Sequence, residues 1–252
     1  MNRFVCVSTM VACIAVASFA QAGTITWGIV QNVTGDSDVV TTGSLLHAYS
    51  GGTGTVNGVT FTNNWVGLNY NGIGYNAQQQ GNDVFQGVGY YVHVNNSAYG
   101  STSAPFSALS AGYQSILAGA VYADHEETST YTIGGLTSGQ SYLVQIWASD
   151  ARNISAVWDR YTRLDGTAQL DFNQANADGS PGQFVVGTFL ANAATQNIAV
   201  YGNVAPQINA LQVRAVSTGV PEIDPAGMGS VLALVTGALG LVERRRLQAK
   251  GA

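Results

Sequence analysis

Apolar and polar residues alternate along most of the chain, and alternation with a period of two predicts half-buried β-strands. It is clear at 24–33, where Ile25, Trp27 and Ile29 stand between polar or small residues. Further strands are predicted at 88–94, 128–133, 142–147, 156–164, 168–172, 183–190, 196–201 and 208–216. About nine to eleven short strands predict an all-β fold. The expected architecture is a two-sheet β-sandwich, jelly-roll-like rather than immunoglobulin-like.

Two local patterns depart from simple alternation. Asn57 and Gly58 stand between β-branched residues, and a type I′ turn needs φ > 0 at both positions, so 55–61 is predicted to be a hairpin. One short helix is predicted within 105–122, because its apolar residues fall at helical spacings: Phe106, Leu109, Tyr113, Ile116, Leu117 and Val121. The Asn-, Gln- and Gly-rich stretch 69–83 is predicted to be a long exposed loop, and 124–127 a charged surface turn.

Both ends of the chain are apolar without alternation. Residues 1–22 combine Arg3, an apolar stretch at 4–19 and the small-x-small sequence Ala20-Gln21-Ala22, which predicts a secretory signal peptide cleaved after Ala22. Near the other end, 226–242 is an uncharged run of 17 residues. As a helix it would span roughly 25 Å, at the short limit for a hydrocarbon core of about 30 Å. The arginines that follow are expected to stay on the cytoplasmic side.

The segment 220–250 resembles the PEP-CTERM sorting signal, in which a Pro-Glu-Pro-type motif precedes a hydrophobic helix and an arginine cluster. The match consists of Val220, Pro221 and Glu222 in the motif (220–225), the run 226–242, and Arg244, Arg245 and Arg246 in the basic end (243–250). Ile223 stands where a second proline is usual, and Pro225 follows two residues later. The resemblance implies processing by an exosortase-type enzyme, a membrane attachment through the helix, and an association with exopolysaccharide or biofilm. A plain membrane anchor and a buried apolar helix are the alternatives.

The sequence from Gly135 to Val144 carries a second resemblance. Its pattern Gly-Leu-x-x-Gly-x-x-Tyr-x-Val resembles a strand junction of β-sandwich modules such as fibronectin type III. In those modules a tyrosine ties the turn back to the sheet, and the resemblance gives that role to Tyr142. This implies a sandwich fold and no particular activity. The expected organisation is therefore a signal peptide (1–22), a β-sandwich ectodomain (23–219) and a sorting tail (220–250).

Composition excludes several classes of function. The region 23–219 contains eleven acidic residues, four arginines and no lysine, so its surface would repel phosphate backbones and nucleic-acid binding is not expected. Both cysteines, Cys6 and Cys13, lie in the predicted signal peptide, which excludes thiol catalysis and Cys-ligated zinc in the mature chain. No Gly-x-Ser-x-Gly elbow, His-Glu-x-x-His or P-loop motif occurs.

Candidate binding chemistry lies between 150 and 165. Three arginines (Arg152, Arg160, Arg163) are interleaved there with three aspartates (Asp150, Asp159, Asp165). One interpretation is a polar floor for sugar hydroxyls, with Trp147 or Trp158 as a stacking wall. The other, which we favour, is a structural Asp–Arg network that joins strand ends through bidentate hydrogen bonds. Aromatic residues also border the loop at 69–83, so the candidate glycan-binding residues are Trp65, Tyr70, Tyr75, Trp158 and Arg160.

Other polar residues suggest no catalytic or metal centre. Asp36 and Asp38, or Asp178 near Ser180, carry oxygen ligands that calcium prefers, but solvated turn aspartates are the favoured interpretation. The three histidines, His47, His93 and His125, are isolated in the sequence. No metal and no cofactor are therefore predicted.

Together these features predict an exported cell-envelope protein, anchored in the membrane or released, with its ectodomain outside the cytoplasm. We expect a non-catalytic structural or adhesive role linked to extracellular polysaccharide or biofilm matrix. Two alternatives stay open: a specific carbohydrate-binding module, and a glycan-active enzyme that uses a pair of carboxylates.

Overall fold

Seventeen β-strands and one α-helix make up the described part of the chain. The computed structural model describes residues 23–63, 77–80, 83–87, 92–95, 97–123, 129–153 and 159–217. The strands are β1 (Thr26–Trp27), β2 (Gln31–Asn32), β3 (Ser44–Ser50), β4 (Gly54–Val56), β5 (Val59–Phe61), β6 (Ala77–Gln80), β7 (Asp83–Gly87), β8 (Val92–Asn95), β9 (Ala120–Ala123), β10 (Ser129–Ile133), β11 (Ser141–Ala148), β12 (Tyr161–Leu164), β13 (Ala168–Asp171), β14 (Gln183–Leu190), β15 (Gln196–Gly202), β16 (Gln207–Ile208) and β17 (Ala210–Val216). The helix is α1 (Ala111–Ala118), and short 3-10 helices occur at Asp36–Asp38 and Phe106–Ala108.

Two six-stranded antiparallel sheets contain most of these strands. The first sheet has the order β1-β14-β11-β17-β3, with β2 also paired to β14. The second sheet has the order β13-β12-β15-β10-β7-β6. A three-stranded sheet, β16-β9-β8, and the β4-β5 hairpin complete the set. The predicted all-β class with one helix is confirmed for the residues that the structure describes.

The two large sheets share one apolar core, as in a sandwich. Fully buried side chains come from the first sheet (Val144, Ile146, Val185, Leu211, Val213) and from the second (Tyr131, Ile133, Leu164, Leu170, Ile198, Val200). Alternate residues of each strand supply them, because successive side chains point to opposite faces. Burying one such side chain contributes roughly 1.5–3 kcal/mol, so this layer dominates the stability of the fold.

The opposite face of the first sheet is covered as well. Trp147 and Phe184 pack there against Tyr113 and its neighbours on α1 and against Phe61 of the β4-β5 hairpin. Trp147 is completely buried, and its indole N–H donates to the Tyr113 hydroxyl at 2.9 Å. The central strand of the first sheet, β11, is therefore buried on both faces around Trp147. The outer face of β12, β13 and β15 in the second sheet has mostly exposed or half-buried residues, so it is available to a ligand.

Polar side chains fix the segment 38–43 to the same covered face. Arg214 donates to the backbone carbonyls of Thr41, Thr42 and Gly43 at 2.9 Å each. Gln212 donates to the carbonyl of Val40 at 2.9 Å. Arg214 is 7% exposed and has no carboxylate partner among the described residues, so these carbonyls are its main polar contacts.

Both local predictions made from spacing are confirmed. β4 and β5 pair around Asn57 and Gly58, whose φ angles of 48° and 74° are those that a type I′ turn requires. The predicted helix is shorter than the stretch 105–122, because it begins after the N-capping Ser110 and ends at Ala118. All six apolar residues predicted to line it are buried, although Val121 belongs to β9.

Two predictions about strands need correction, and one long strand was missed. The predicted loop 69–83 contains β6 (Ala77–Gln80) and the first residue of β7, which pair with each other. The stretch 24–33 is divided into β1 and β2, and Ile29 between them is 85% exposed rather than buried. β3 (Ser44–Ser50) was not predicted at all. The predicted turn at 124–127 lies outside the described residues.

Tyr142 occupies the place that the fibronectin-type pattern implies. The backbone N–H of Thr137 donates to the Tyr142 hydroxyl at 2.9 Å, and the Tyr142 ring stacks on Phe189 with centroids 5.6 Å apart. β10 and β11 on either side of this turn belong to different sheets. The tyrosine therefore fixes the point at which the chain crosses from the second sheet to the first, and this prediction is confirmed.

Among the residues described, no helix has the length and apolar character needed to cross a bilayer. The predicted signal peptide at 1–22 and the predicted sorting tail at 220–250 both lie outside that part of the chain.

Candidate functional site

A polar pocket of about 340 Å³ lies where β12 begins and β13 ends. Every lining residue carries a polar or charged side chain: Asp159, Arg160, Tyr161, Gln169, Asp171, Asn173, Gln174, Asn176 and Asn203. They come from the neighbouring strands β12 and β13, from the turns beside these strands and, for Asn203, from the residue that follows β15. A pocket lined this way can donate hydrogen bonds to a ligand and accept them from it.

The strand register decides which side chains reach the pocket. Tyr161 pairs directly with Asp171 across the β12-β13 ladder, and Arg163 pairs with Gln169. Directly opposed residues of an antiparallel pair lie on the same face. Thr162 is buried between them on the inner face, so Tyr161, Arg163, Gln169 and Asp171 face outward. Tyr161 and Arg163 therefore share the face opposite Thr162.

Two asparagines hold the backbone of the pocket in place. The Asn203 side chain donates to the carbonyl of Asp159 and accepts from the N–H of Tyr161 at 3.3 Å. Asn173 is 3% exposed and donates to three backbone carbonyls, those of Asp150, Arg152 and Ala177, at 2.9–3.3 Å. Because their polar groups are already bonded, these two amides shape the pocket rather than offer ligand contacts.

Arg160 is fixed behind the pocket by a buried carboxylate. Asp150 has no exposed surface and accepts from Arg160 Nη1 at 3.1 Å. It also accepts from Arg152 Nε at 2.7 Å and Nη2 at 2.6 Å, so one aspartate holds two arginines. The Arg160 guanidinium lies 5.1 Å from the centre of the Phe172 ring. We call Asp150, Arg152 and Arg160 the buried triad.

The two arginines of the buried triad differ electrostatically. Burial lowers the pKa of Arg160, because desolvation disfavours its charged form, and the charge of Asp150 opposes that effect. Hydrogen bonds to Asp150 raise the pKa of the more exposed Arg152. Arg160 Nε is buried and has no hydrogen-bond partner among the described residues. The favoured interpretation of this stretch, an Asp–Arg network, therefore describes Arg160 well, and the same residue also lines the pocket.

Two other members of the predicted network, Asp165 and Arg163, have partners outside the triad. Asp165 accepts from the indole N–H of Trp27 at 3.0 Å and from the N–H of Ala199 at 2.8 Å. Arg163 donates to Gln169 at 2.6 Å and lies over the Tyr161 ring at 5.4 Å. Asp150 forms ion pairs with both Arg152 and Arg160 and is therefore the centre of the network.

Two lining side chains have unused hydrogen-bonding groups. The half-buried carboxylate of Asp171 and the exposed amide of Asn176 form no hydrogen bond with any described residue. Asn176 has a φ of 50°, a left-handed conformation that asparagine tolerates better than most residues. The Asp171 carboxylate therefore offers a hydrogen-bond acceptor to a ligand, and the Asn176 amide offers both a donor and an acceptor.

The structure corrects one predicted stacking residue. Trp147 cannot form a wall for a sugar ring, because it is completely buried between Phe61 and Phe184. Several other predicted residues lie outside the described part of the chain: Trp65, Tyr70, Tyr75 and Trp158, the motif residues Val220, Pro221 and Glu222, and Arg244, Arg245 and Arg246. Of the predicted glycan-binding residues, Arg160 alone is placed, and it lies in the pocket wall.

The aspartates considered for calcium bond to protein groups instead. Asp38 accepts from the backbone N–H of Thr34 at 2.6 Å and its hydroxyl at 2.7 Å, and Asp36 accepts from the Ser110 hydroxyl at 2.6 Å. Asp178 accepts from the hydroxyls of Ser101 and Ser103, and these bonds lower its pKa. No group of three or more metal-binding side chains occurs within the described residues. These contacts explain the aspartates as turn-stabilising side chains.

A second concavity, of about 640 Å³, lies beside α1. Its lining is less polar and includes Phe106, Ala111 and Ala118. Asp178 in its wall is already bonded to two serines, and Arg152 is held by the buried triad. Fewer unused polar groups make it the weaker candidate.

Sequence reasoning missed most of the pocket. No local pattern identifies four of the lining residues: Asp171, Asn173, Asn176 and Asn203. They are residue types common in turns, and they lie as far as 32 positions apart in the sequence. The only available clue was the run Asn173-Gln174-Ala175-Asn176, which follows a predicted strand.

The chain matches no protein-family model, no curated protein and no solved structure.

Proposed function

We propose that this chain is an exported cell-envelope protein whose β-rich body binds extracellular polysaccharide without chemically changing it. The role is adhesive or structural, in contact with exopolysaccharide or a biofilm matrix. The observation that carries the proposal is the pocket at the start of β12, with its wholly polar lining and its unused Asp171 and Asn176 side chains.

Sugars present many hydroxyls, each of which donates and accepts hydrogen bonds. Carboxylates and amides satisfy them well, and Asp171 and Asn176 provide one of each. The groups behind them are held rigidly by the buried triad, Asn173 and Asn203, so little ordering free energy is lost on binding. A pocket of about 340 Å³ has the size expected for part of a small-ligand site.

Export and sorting are part of the same proposal. The apolar stretch at 4–19 before Ala20-Gln21-Ala22 supports secretion, and the resemblance of 220–250 to the PEP-CTERM signal supports handling by an exosortase-type partner. A helix formed by the apolar run 226–242 would attach the protein to the membrane until it is processed. We also infer that the region 23–219 is a jelly-roll-like sandwich. This inference is supported by the pairing of the first long strand, β3, with the last strand, β17.

Binding can be tested with purified full-length protein and a panel of immobilised polysaccharides. Asn176→Ala and Asp171→Ala should each weaken binding to the retained polysaccharide about three- to tenfold, the scale of one or two lost hydrogen bonds. Asn197→Ala is the matched control, because Asn197 is exposed on the same sheet but outside the pocket. Equal binding by all three variants and the unaltered protein would exclude the pocket.

Localisation needs a separate experiment. The full chain should be recovered from the envelope or the medium without residues 1–22. A chain ending at Gly219 should lose its membrane association. Recovery of full-length protein inside the cell, with Met1 retained, would refute the export proposal.

A glycan-active enzyme is the second candidate, because Asp159 and Asp171 both line the pocket and glycoside hydrolysis uses two carboxylates. Release of reducing ends or unsaturated products from any bound polysaccharide would establish it. In that case Asp159→Asn or Asp171→Asn should abolish product release. Binding without turnover supports the non-catalytic role.

A further inference from the structure

Two tyrosines lie side by side on the outer face of the second sheet. Tyr161 is the first residue of β12, and Tyr201 is near the end of β15, the next strand in the sheet. Their ring centroids are 6.3 Å apart with planes inclined by 48°. Both residues are half-buried, so part of each side chain is accessible.

A neighbouring side chain restricts the Tyr161 ring. The Arg163 guanidinium lies 5.4 Å from the ring centroid, and its Nη2 donates to Gln169 Oε1 at 2.6 Å. Gln169 is itself part of the pocket wall. The contact between a cation and a ring face is favourable by about 0.5–1 kcal/mol at exposed sites, so it favours this position of the ring before any ligand binds.

Tyr161 belongs both to the pocket and to the tyrosine pair. A ligand seated against Asp171 and Asn176 would therefore meet Tyr161 first and Tyr201 next along the sheet. Aromatic side chains combine a large apolar face with a polar hydroxyl. Such faces suit the C–H-rich face of a pyranose ring, while the sugar's hydroxyls extend outward to polar partners.

The charges around this surface balance. Asp150 and Arg152 offset each other in the buried triad, which leaves the positive charge of Arg160. Arg163 adds one more positive charge, and Asp159 and Asp171 supply two negative charges. The region 23–219 as a whole is acidic. A polymer of uronic acids would gain no net attraction here and would be repelled at longer range.

We propose that the pocket and the Tyr161–Tyr201 pair form two adjacent subsites for consecutive units of an uncharged polysaccharide. This inference rests on the proposed function and adds to it the class of ligand and the direction in which it lies. The ligand extends from the pocket across β12 toward β15, so a single sugar fills only part of the site.

The test uses affinity electrophoresis and calorimetry with the full-length protein. The uncharged polymers are soluble β-glucan, galactomannan and arabinoxylan, and the anionic polymers are alginate and polygalacturonate. At least one uncharged polymer should bind, with little dependence on salt, and the anionic polymers should bind at least about tenfold more weakly. Oligosaccharides of the bound polymer should bind more tightly than its monosaccharide.

Variants of Tyr201 separate this inference from the proposed function. Tyr201→Ala should weaken polymer binding about tenfold, as expected for an aromatic anchor, and should remove the advantage of longer oligosaccharides. Tyr201→Phe keeps the ring and should keep most of the affinity. Leu190→Ala, which shortens a side chain 56% exposed on the first sheet, controls for loss of apolar surface. Unfolding curves for each variant check that the fold is retained.

The outcomes are distinct. If the Tyr201→Ala variant binds like the unaltered protein while the Asn176→Ala variant binds weakly, the second subsite is refuted and the proposed function stands. Equal binding of alginate and the uncharged polymers would refute the ligand class. Absence of binding to all five polymers would overturn both proposals.

Discussion

Replacing Asp150 by asparagine should destabilise the fold more than any other single charge removal near the pocket. The substitution keeps the shape of the side chain and removes its charge. Asp150 is completely buried and accepts three hydrogen bonds of 2.6–3.1 Å from the guanidinium groups of Arg152 and Arg160. An amide oxygen can accept some of these bonds, but it cannot neutralise either guanidinium.

The magnitude follows from the burial of each partner. The Arg160 side chain is 13% exposed, so it would become a buried cation without a counter-charge, and breaking such a pair costs about 3–5 kcal/mol. The Arg152 side chain is 35% exposed, and a pair at that exposure contributes about 1 kcal/mol or less. We therefore expect Asp150→Asn to lower the free energy of unfolding by about 3–5 kcal/mol, nearly all of it through Arg160.

Urea unfolding followed by tryptophan fluorescence measures this loss. The double variant Asp150→Asn with Arg160→Met should be more stable than Asp150→Asn alone, because it removes the unpaired cation. Asp171→Asn is the matched control: its carboxylate bonds to no described residue, so its stability should change by less than about 0.5 kcal/mol. A loss below about 1 kcal/mol in Asp150→Asn, or a double variant no more stable than the single one, would refute the reasoning.

Three further predictions concern the rest of the fold. Arg214→Met should lower the free energy of unfolding, measured in urea, by about 2–4 kcal/mol, because three backbone carbonyls lose their hydrogen-bond donor. Arg214→Lys should recover only part of that stability. Tyr142→Phe should cost about 1 kcal/mol, since the ring still stacks on its neighbour and only the hydroxyl bond to the turn is lost. Burial raises the pKa of Tyr99 and of Tyr113. The unfolded chain loses these protons near pH 10 and the folded chain keeps them, so stability should fall above pH 10 by up to about 1.4 kcal/mol per pH unit for each. Tyr113→Phe should show a shallower fall, and an unchanged slope would contradict the assignment.

Periodicity predicted the strands that have one buried face. The stretch 196–201 falls within β15 of the second sheet, where buried residues alternate with exposed or half-buried ones. β3 was not predicted, because its apolar residues do not alternate with polar ones: Leu45 and Leu46 are consecutive and both are exposed. His47 and Ala48 are consecutive and both buried, so the strand has no alternation to detect.

Interactions between distant parts of the chain explain the remaining misses. Ile29 fits an alternating pattern, but the chain leaves the sheet between β1 and β2, and its side chain is exposed. Charge spacing identified the stretch that contains Asp150 and Arg160, because those residues are ten positions apart. Asn203 joins the same pocket only because β15 pairs with β12, a fact that no local pattern contains.

The burial and the contacts of the aromatic residues support the location of the proposed site. Most aromatic side chains in the described residues are buried, and five are half-buried: Trp27, Tyr49, Tyr122, Tyr161 and Tyr201. Trp27 donates to Asp165, Tyr49 bonds to His47, and Tyr122 packs edge-on against Tyr99. Tyr161 and Tyr201 instead contact each other, on the outer face of a sheet and beside a polar pocket. The uncharged polysaccharide proposed above would cover the accessible part of this pair and bond to the pocket in one step.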